Sequence, residues 1–194
     1  MSVSARHPLD FYSTPAWMTR ALLRRLTFRP SYVLEPCAGQ GAIADVLRQQ
    51  PNVLHVETND LDPSTPCDSH EDASRPEYWL SLTQRTHNRP DVAITNLPFN
   101  QADAIVPLAV QSVRLFATIL RLSWLEPTNG RQEFLRCAPP DKLIVLPRHD
   151  FKGQGATDSV TSAWFLWGYV GVGRPIDVVT KAERDEPIAQ QRQG

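Results

Sequence analysis

The run Tyr32-Val33-Leu34-Glu35-Pro36-Cys37-Ala38-Gly39-Gln40-Gly41 constrains this chain more than any other. Three apolar residues lead into an acidic one, and two glycines follow just before a helical pattern that opens near Ala42 and ends before Pro51. A short apolar run bounded by turn residues reads as a buried strand. The glycines let the backbone turn tightly and come close to a ligand. Strand, glycine turn and helix together form the opening unit of an alternating α/β sheet. The turn is not G-x-G-x-x-G, and no Lys-Ser/Thr follows it, so it is not a phosphate loop.

The rest of the chain repeats the alternation. A helix is expected from Pro15 to Leu26, with Thr14 as N-cap and Pro15 as the first helical residue. Strands are expected at Val53 to Val56, Asp91 to Thr95, Leu115 to Leu122, Leu143 to Leu146 and Ser162 to Val172. Ala102 to Val113 reads as a helix, and Asp62 to Ser74 as a polar, Pro-containing loop. Strands alternating with helices predict a mainly parallel sheet with helices on both faces, and ligands at the carboxyl ends of its strands. Glu35 to Gly41, Asp60 and Asn96 to Phe99 all follow strands, so they are expected on one edge of that sheet.

A length of 194 residues with 41% hydrophobic content suits one domain, taken as 1–180, with a polar flexible tail at 181–194. The net charge of −1 does not advertise phosphate binding, although local charge distribution matters more than the sum. Three cysteines form no C-x-x-C, which suits a reducing cytoplasm, and the five histidines are too scattered to suggest a metal site. No apolar run has membrane-spanning length and the N-terminus lacks a signal-peptide core, so a cytoplasmic location is expected.

An acidic residue before the glycine turn suits a ligand with a cationic amino group and repels phosphates. S-adenosylmethionine carries such a group and a sulfonium. Asp60 stands about twenty residues beyond the turn, where a carboxylate can accept from ribose hydroxyls. Asp62 is the second choice for that role. Asp72, next to Ala73, is placed to accept from an adenine amino group or else to face water. After the strand Val92-Ala93-Ile94-Thr95 come Asn96-Leu97-Pro98-Phe99. An exocyclic amine is a weak nucleophile because its lone pair is delocalised into the ring. Two acceptors on its N–H groups, Asn96 Oδ1 and the Leu97 carbonyl, would favour the pyramidal, nucleophilic nitrogen. Pro98 would hold the turn, and Phe99 would stack on the base.

In these pieces the chain resembles the class I S-adenosylmethionine-dependent methyltransferases, and within them the DNA amino-methyltransferases. Tyr12-Ser13-Thr14-Pro15, Glu35 to Gly41 and Asn96 to Phe99 stand in that family's order. The C-terminal half is similar to small phage and prophage adenine methyltransferases at Leu120 to Leu125, Leu146-Pro147-Arg148, Thr157-Asp158-Ser159 and Ala163 to Trp167. The resemblance implies a Rossmann-like fold with a seven-stranded, mainly parallel sheet and an antiparallel C-terminal strand. It implies a cofactor site of Tyr12, Thr14, Pro15, Glu35, Pro36, Cys37, Gly39, Gly41, Asp60, Asp72, Ala73 and Asn96. The methionine end would lie under Tyr12 to Pro15, and Asn96 with Phe99 would meet the target base. Leu97 stands where the family usually has Pro; its carbonyl is kept, while one rigid φ is lost.

The activity so implied is methylation of adenine N6 in DNA, leaving S-adenosylhomocysteine, by a monomer or homodimer. The base must be flipped from the duplex or already single-stranded. Arg121, Arg131, Arg148 and Lys152 are candidates to hold the nucleic-acid backbone, and Lys152 to Asp158 to close over substrate. Glu126 to Pro140 is the best candidate for a small recognition element. Open alternatives are an RNA or protein-glutamine amino-methyltransferase, or a non-catalytic module that binds cofactor or DNA.

Overall fold

Every central strand divides its side chains between two cores, as a strand covered on both faces must. Val33, Val92, Ile94, Leu115, Ala117, Ile119, Trp164 and Leu166 enter one buried cluster. Leu34, Ala93, Phe116, Leu120, Ala163, Phe165 and Trp167 enter the other. The computed structural model describes residues 13–27, 30–87, 89–149, 160–168 and 174–186.

The described elements, in chain order, are α1 (Ala16–Leu23), β1 (Tyr32–Glu35), α2 (Ala42–Arg48), β2 (His55–Thr58), α3 (Pro76–Thr83), β3 (Val92–Asn96), α4 (Ala102–Ser112), β4 (Leu115–Arg121), α5 (Gln132–Cys137), β5 (Lys142–Val145), β6 (Ser162–Trp167), β7 (Ile176–Val178) and α6 (Lys181–Asp185). A 3-10 turn, Leu122–Leu125, follows β4. The seven strands lie in the order β2-β1-β3-β4-β6-β5-β7. β1 to β4 pair in parallel, β6 is antiparallel to both β4 and β5, and β7 is parallel to β5. This is a Rossmann-like architecture: a mostly parallel sheet with α1 and α2 on one face and α3 and α4 on the other.

The antiparallel strand is the sixth, and the chain then adds β7 at the sheet edge. Three residues are too few for an alternation pattern to register in the sequence. α3 lies outside the expected helices, although Pro76 at its first turn and the buried Tyr78, Trp79 and Leu82 mark an amphipathic helix. Within the expected tail, Lys181–Asp185 form α6. Thr180 and Glu183 form a reciprocal capping box that opens α6. Arg25 of the α1 end reaches both Asp177 (2.7 Å) and Glu183 (2.8 Å), which pins β7 and α6 to α1.

Two contacts fix α1 against the sheet. Trp164 Nε1 donates to the Met18 carbonyl at 2.8 Å, and Met18 and Leu22 are buried in the core beneath. The helix is not capped as expected. Its N-cap is Pro15, without a side-chain hydrogen bond, and Thr14 lies outside it.

Candidate functional site

The parallel register brings the carboxyl ends of β1, β2, β3 and β4 to one edge, with Glu35 level with Thr58 and Asn96 level with Ile119. Glu35 ends β1 and is 2% exposed. Its Oε2 accepts from the Ala44 N–H at 2.7 Å, so it anchors the first turn of α2 beneath the glycine turn. Burial holds this carboxyl well above the usual carboxylate range, although the Ala44 N–H draws it down.

The turn itself runs through two left-handed glycines, Gly39 at φ 54° and Gly41 at φ 80°. Only a residue without Cβ takes these conformations cheaply, which accounts for both glycines. Asp60 Oδ2 accepts from the Gly39 N–H at 2.7 Å, and Asp60 Oδ1 from the Asp62 N–H at 2.9 Å. The carboxylate singled out twenty residues away thus stands against the turn. Asp62 instead accepts from the Ser64 N–H, closing its own loop.

Asn59 organises this region, and sequence reasoning passed over it. It is fully buried. Its Nδ2 donates to the carbonyls of Pro36 (3.0 Å) and Glu71 (2.9 Å). Its Oδ1 accepts from the Ser69 hydroxyl and the Glu71 N–H, both at 2.8 Å. The side chain therefore ties the glycine turn to the loop that carries Asp72 and Ala73. The only signal in the sequence was a polar residue directly after a buried strand. Asp72 Oδ1 accepts from the Ser74 hydroxyl (2.6 Å) and N–H (2.9 Å), which hold its carboxyl below the usual range. Ala73 is buried, and its carbonyl accepts from Trp79 Nε1.

Cys37 sits inside the turn. Burial pushes its thiol up, and the negative field of Asp60, Glu35 and Asp72 adds to the effect. The test of fit for a cofactor rests on two observations: the Asp60 carboxylate stands against the glycine turn, and there is open space around Gly41, which suits a cationic ligand with hydroxyl groups to donate. Among the described residues no group of three His, Cys, Asp or Glu is arranged to hold a metal ion, and no helix is long and apolar enough to cross a membrane.

Asn96 ends β3, and its Nδ2 donates to Thr14 Oγ1 at 3.1 Å. Thr95, fully buried, donates its hydroxyl to the Cys37 carbonyl at 3.4 Å and so links this loop to the glycine turn. Leu97 is 3% exposed, with its side chain in the core cluster shared by Leu34, Ala73 and Leu120. The Pro98 carbonyl accepts from the Gln101 N–H and closes the turn into α4. Phe99 is partly buried, and the Arg121 guanidinium lies 4.8 Å from its ring centroid.

The four basic candidates separate. Arg121 is at the site, over Phe99. Arg148 is exposed after β5. Arg131 is engaged elsewhere. It pairs with Asp103 at 2.9 Å, donates to the Trp124 carbonyl at 2.7 Å and lies over the Trp124 ring. That guanidinium fastens the 126–140 segment to α4, where Phe134 packs against Trp124 and Trp167. Tyr12, Lys152 and the 152–158 loop lie outside the described residues.

The fold has solved counterparts. A Listeria monocytogenes protein described as a class I S-adenosylmethionine-dependent methyltransferase is 13% identical, with TM-score 0.61 over 98% of this chain and 73% of its own. The methyltransferase subunit of a type I restriction-modification system from Streptococcus thermophilus is 14% identical, with TM-score 0.59 over 93% of this chain. The present chain spans about half of that subunit, 53% of its length. An O-methyltransferase from Bacillus cereus, solved with S-adenosylhomocysteine, is 10% identical, with TM-score 0.56 over 83% of each chain. At such identities the likeness is one of fold. No protein-family model matches the sequence, and no curated protein matches it either.

Proposed function

We propose that this protein is an S-adenosylmethionine-dependent methyltransferase that methylates an exocyclic amino group, the N6 of adenine in DNA. The reading is carried by one observation: an asparagine at the carboxyl end of β3 has its amide anchored through Nδ2, beside an aromatic ring and across from an acidic glycine turn. When bound, the cofactor would supply an electrophilic methyl group on a sulfonium. Gly39, Gly41 and Asp60 would hold its ribose side, and the acidic turn its cationic amino acid end. Asn96 Oδ1 and the Leu97 carbonyl would accept from the two N–H groups of the target amine. Phe99 would stack on the ring, with Arg121 polarising it from nearby. Positioning of this kind can supply most of the rate without a strong base. The presence of a type I modification subunit among the structural counterparts supports DNA as the substrate class.

The test is transfer of labelled methyl from S-adenosylmethionine to single-stranded and duplex DNA, with RNA and protein as parallel acceptors. N6-methyladenine in the digested DNA is the expected product. Asn96→Ala should reduce transfer by on the order of a hundredfold or more while cofactor affinity, read by calorimetry, stays near wild type. Undiminished transfer by that variant would remove Asn96 from the reaction. Labelled RNA or glutamine, with unlabelled DNA, would move the substrate to the corresponding alternative.

A further inference from the structure

Thr14 precedes the first described helix, and its hydroxyl is left unused by that helix. α1 opens on Pro15, and the N–H of Met18 is met by the Pro15 carbonyl. Thr14 is nonetheless 5% exposed, and its Oγ1 is 3.1 Å from Asn96 Nδ2, across 82 residues of sequence. A carboxamide has two nearly isosteric orientations that exchange acceptor for donor. In one, Asn96 would offer Oδ1 to an amine N–H; in the other it would confront that N–H with its own. In this structure Thr14 Oγ1 accepts from Nδ2, which is the first orientation, and Thr14 is buried, where a hydrogen bond is stronger than on the surface.

We infer that Thr14 is a positioning residue for methyl transfer: its hydroxyl holds the Asn96 side chain through Nδ2, so that Oδ1 is the atom that meets the target amine. The inference rests on the amino-transfer reading and deepens it. Thr14 can do this because α1 is itself immobilised. Trp164 holds the Met18 carbonyl, and Arg25 ties the far end of the helix to Asp177 and Glu183. The N-terminal segment thus acts on the reacting geometry through a side chain, beyond any cover it gives the cofactor.

The experiment compares wild type with Thr14→Val, which keeps shape and loses the hydroxyl, and Thr14→Ser, which keeps the hydroxyl. Three quantities are read: the single-turnover methyl-transfer rate at saturating cofactor, the cofactor Kd, and the side-chain amide resonances of Asn96, assigned by their loss in Asn96→Ala. Thr14→Val should slow the single turnover on the order of ten- to a hundredfold, as expected for a misplaced reacting group. Its Kd for cofactor should stay within about threefold, a change of under about 0.7 kcal/mol. The Asn96 amide signal should shift, and Thr14→Ser should restore both rate and signal. A Thr14→Val variant with normal rate and weakened cofactor binding would make the residue a cofactor wall and overturn the inference. An unchanged amide signal, or no rescue by serine, would overturn it as well. If the wild type transfers no methyl to any amine, the amino-transfer reading fails first. The amide signal then still separates that failure from absence of the Thr14 contact.

Discussion

Replacing Asn59 should damage both stability and cofactor binding, and the size can be worked from its partners. Four hydrogen bonds converge on a fully buried amide: two given to the carbonyls of Pro36 and Glu71, and two received from Ser69 and Glu71. At a net worth of about 1 kcal/mol each, their loss in Asn59→Ala totals about 4 kcal/mol, reduced to about 3 where partly exposed partners rehydrate. For a domain of this size that lowers Tm by roughly 6–16 °C. Asn59→Asp keeps the accepting half and loses the donating half, facing two carbonyl oxygens with a buried charge, so it should be at least as damaging. Urea denaturation measures both, and a lower midpoint at unchanged m-value is the expected signature. The same variants should weaken S-adenosylmethionine binding, because the glycine turn and the Asp72 loop lose their common tie. A loss of stability below about 1 kcal/mol for Asn59→Ala would refute the reasoning, since it would mean that the four contacts do not act together.

Two further outcomes follow from single groups. Glu35 has a folded-state pKa raised by burial above its unfolded value of about 4.3, so its stabilising contribution is present below that pH and is lost as pH rises through the folded value. Glu35→Gln should therefore gain on wild type in urea midpoint from pH 5 toward pH 9, and a constant difference would show that the carboxyl does not titrate abnormally. Gly168 lies at φ 77° with the site of a Cβ only 1.9 Å from the Arg114 carbonyl oxygen, whereas Gly41, at φ 80°, has open space around it. Gly168→Ala should cost about 3 kcal/mol or more by denaturation and Gly41→Ala only about 1–2, the left-handed strain alone; equal costs would contradict the steric argument.

By itself the sequence determined the plan of this protein. Buried apolar runs, each ending in polar residues, required a sheet covered on both faces, because only that arrangement satisfies strands with no polar side. Gly39 and Gly41 marked the tight turn, since no other residue takes positive φ cheaply. Asp60 and Asn96 were legible because strand ends in a parallel sheet share one edge. Elements as short as β7 and α5 left no periodicity to read. The uses of single polar groups were also hidden. Thr14 looked like a helix cap because local chemistry favours that bond, yet its hydroxyl met Asn96 once α1 was packed on β6. Arg131 looked like a free cation until Asp103 and Trp124 closed on it. Asn59 gave no sign of its role until four groups from two segments, the turn at Pro36 and the loop from Ser69 to Glu71, surrounded it. Such partners are distant along the chain, and a side chain's choice among them is made by burial: once water is excluded, each donor takes the acceptor that the packed backbone brings within reach.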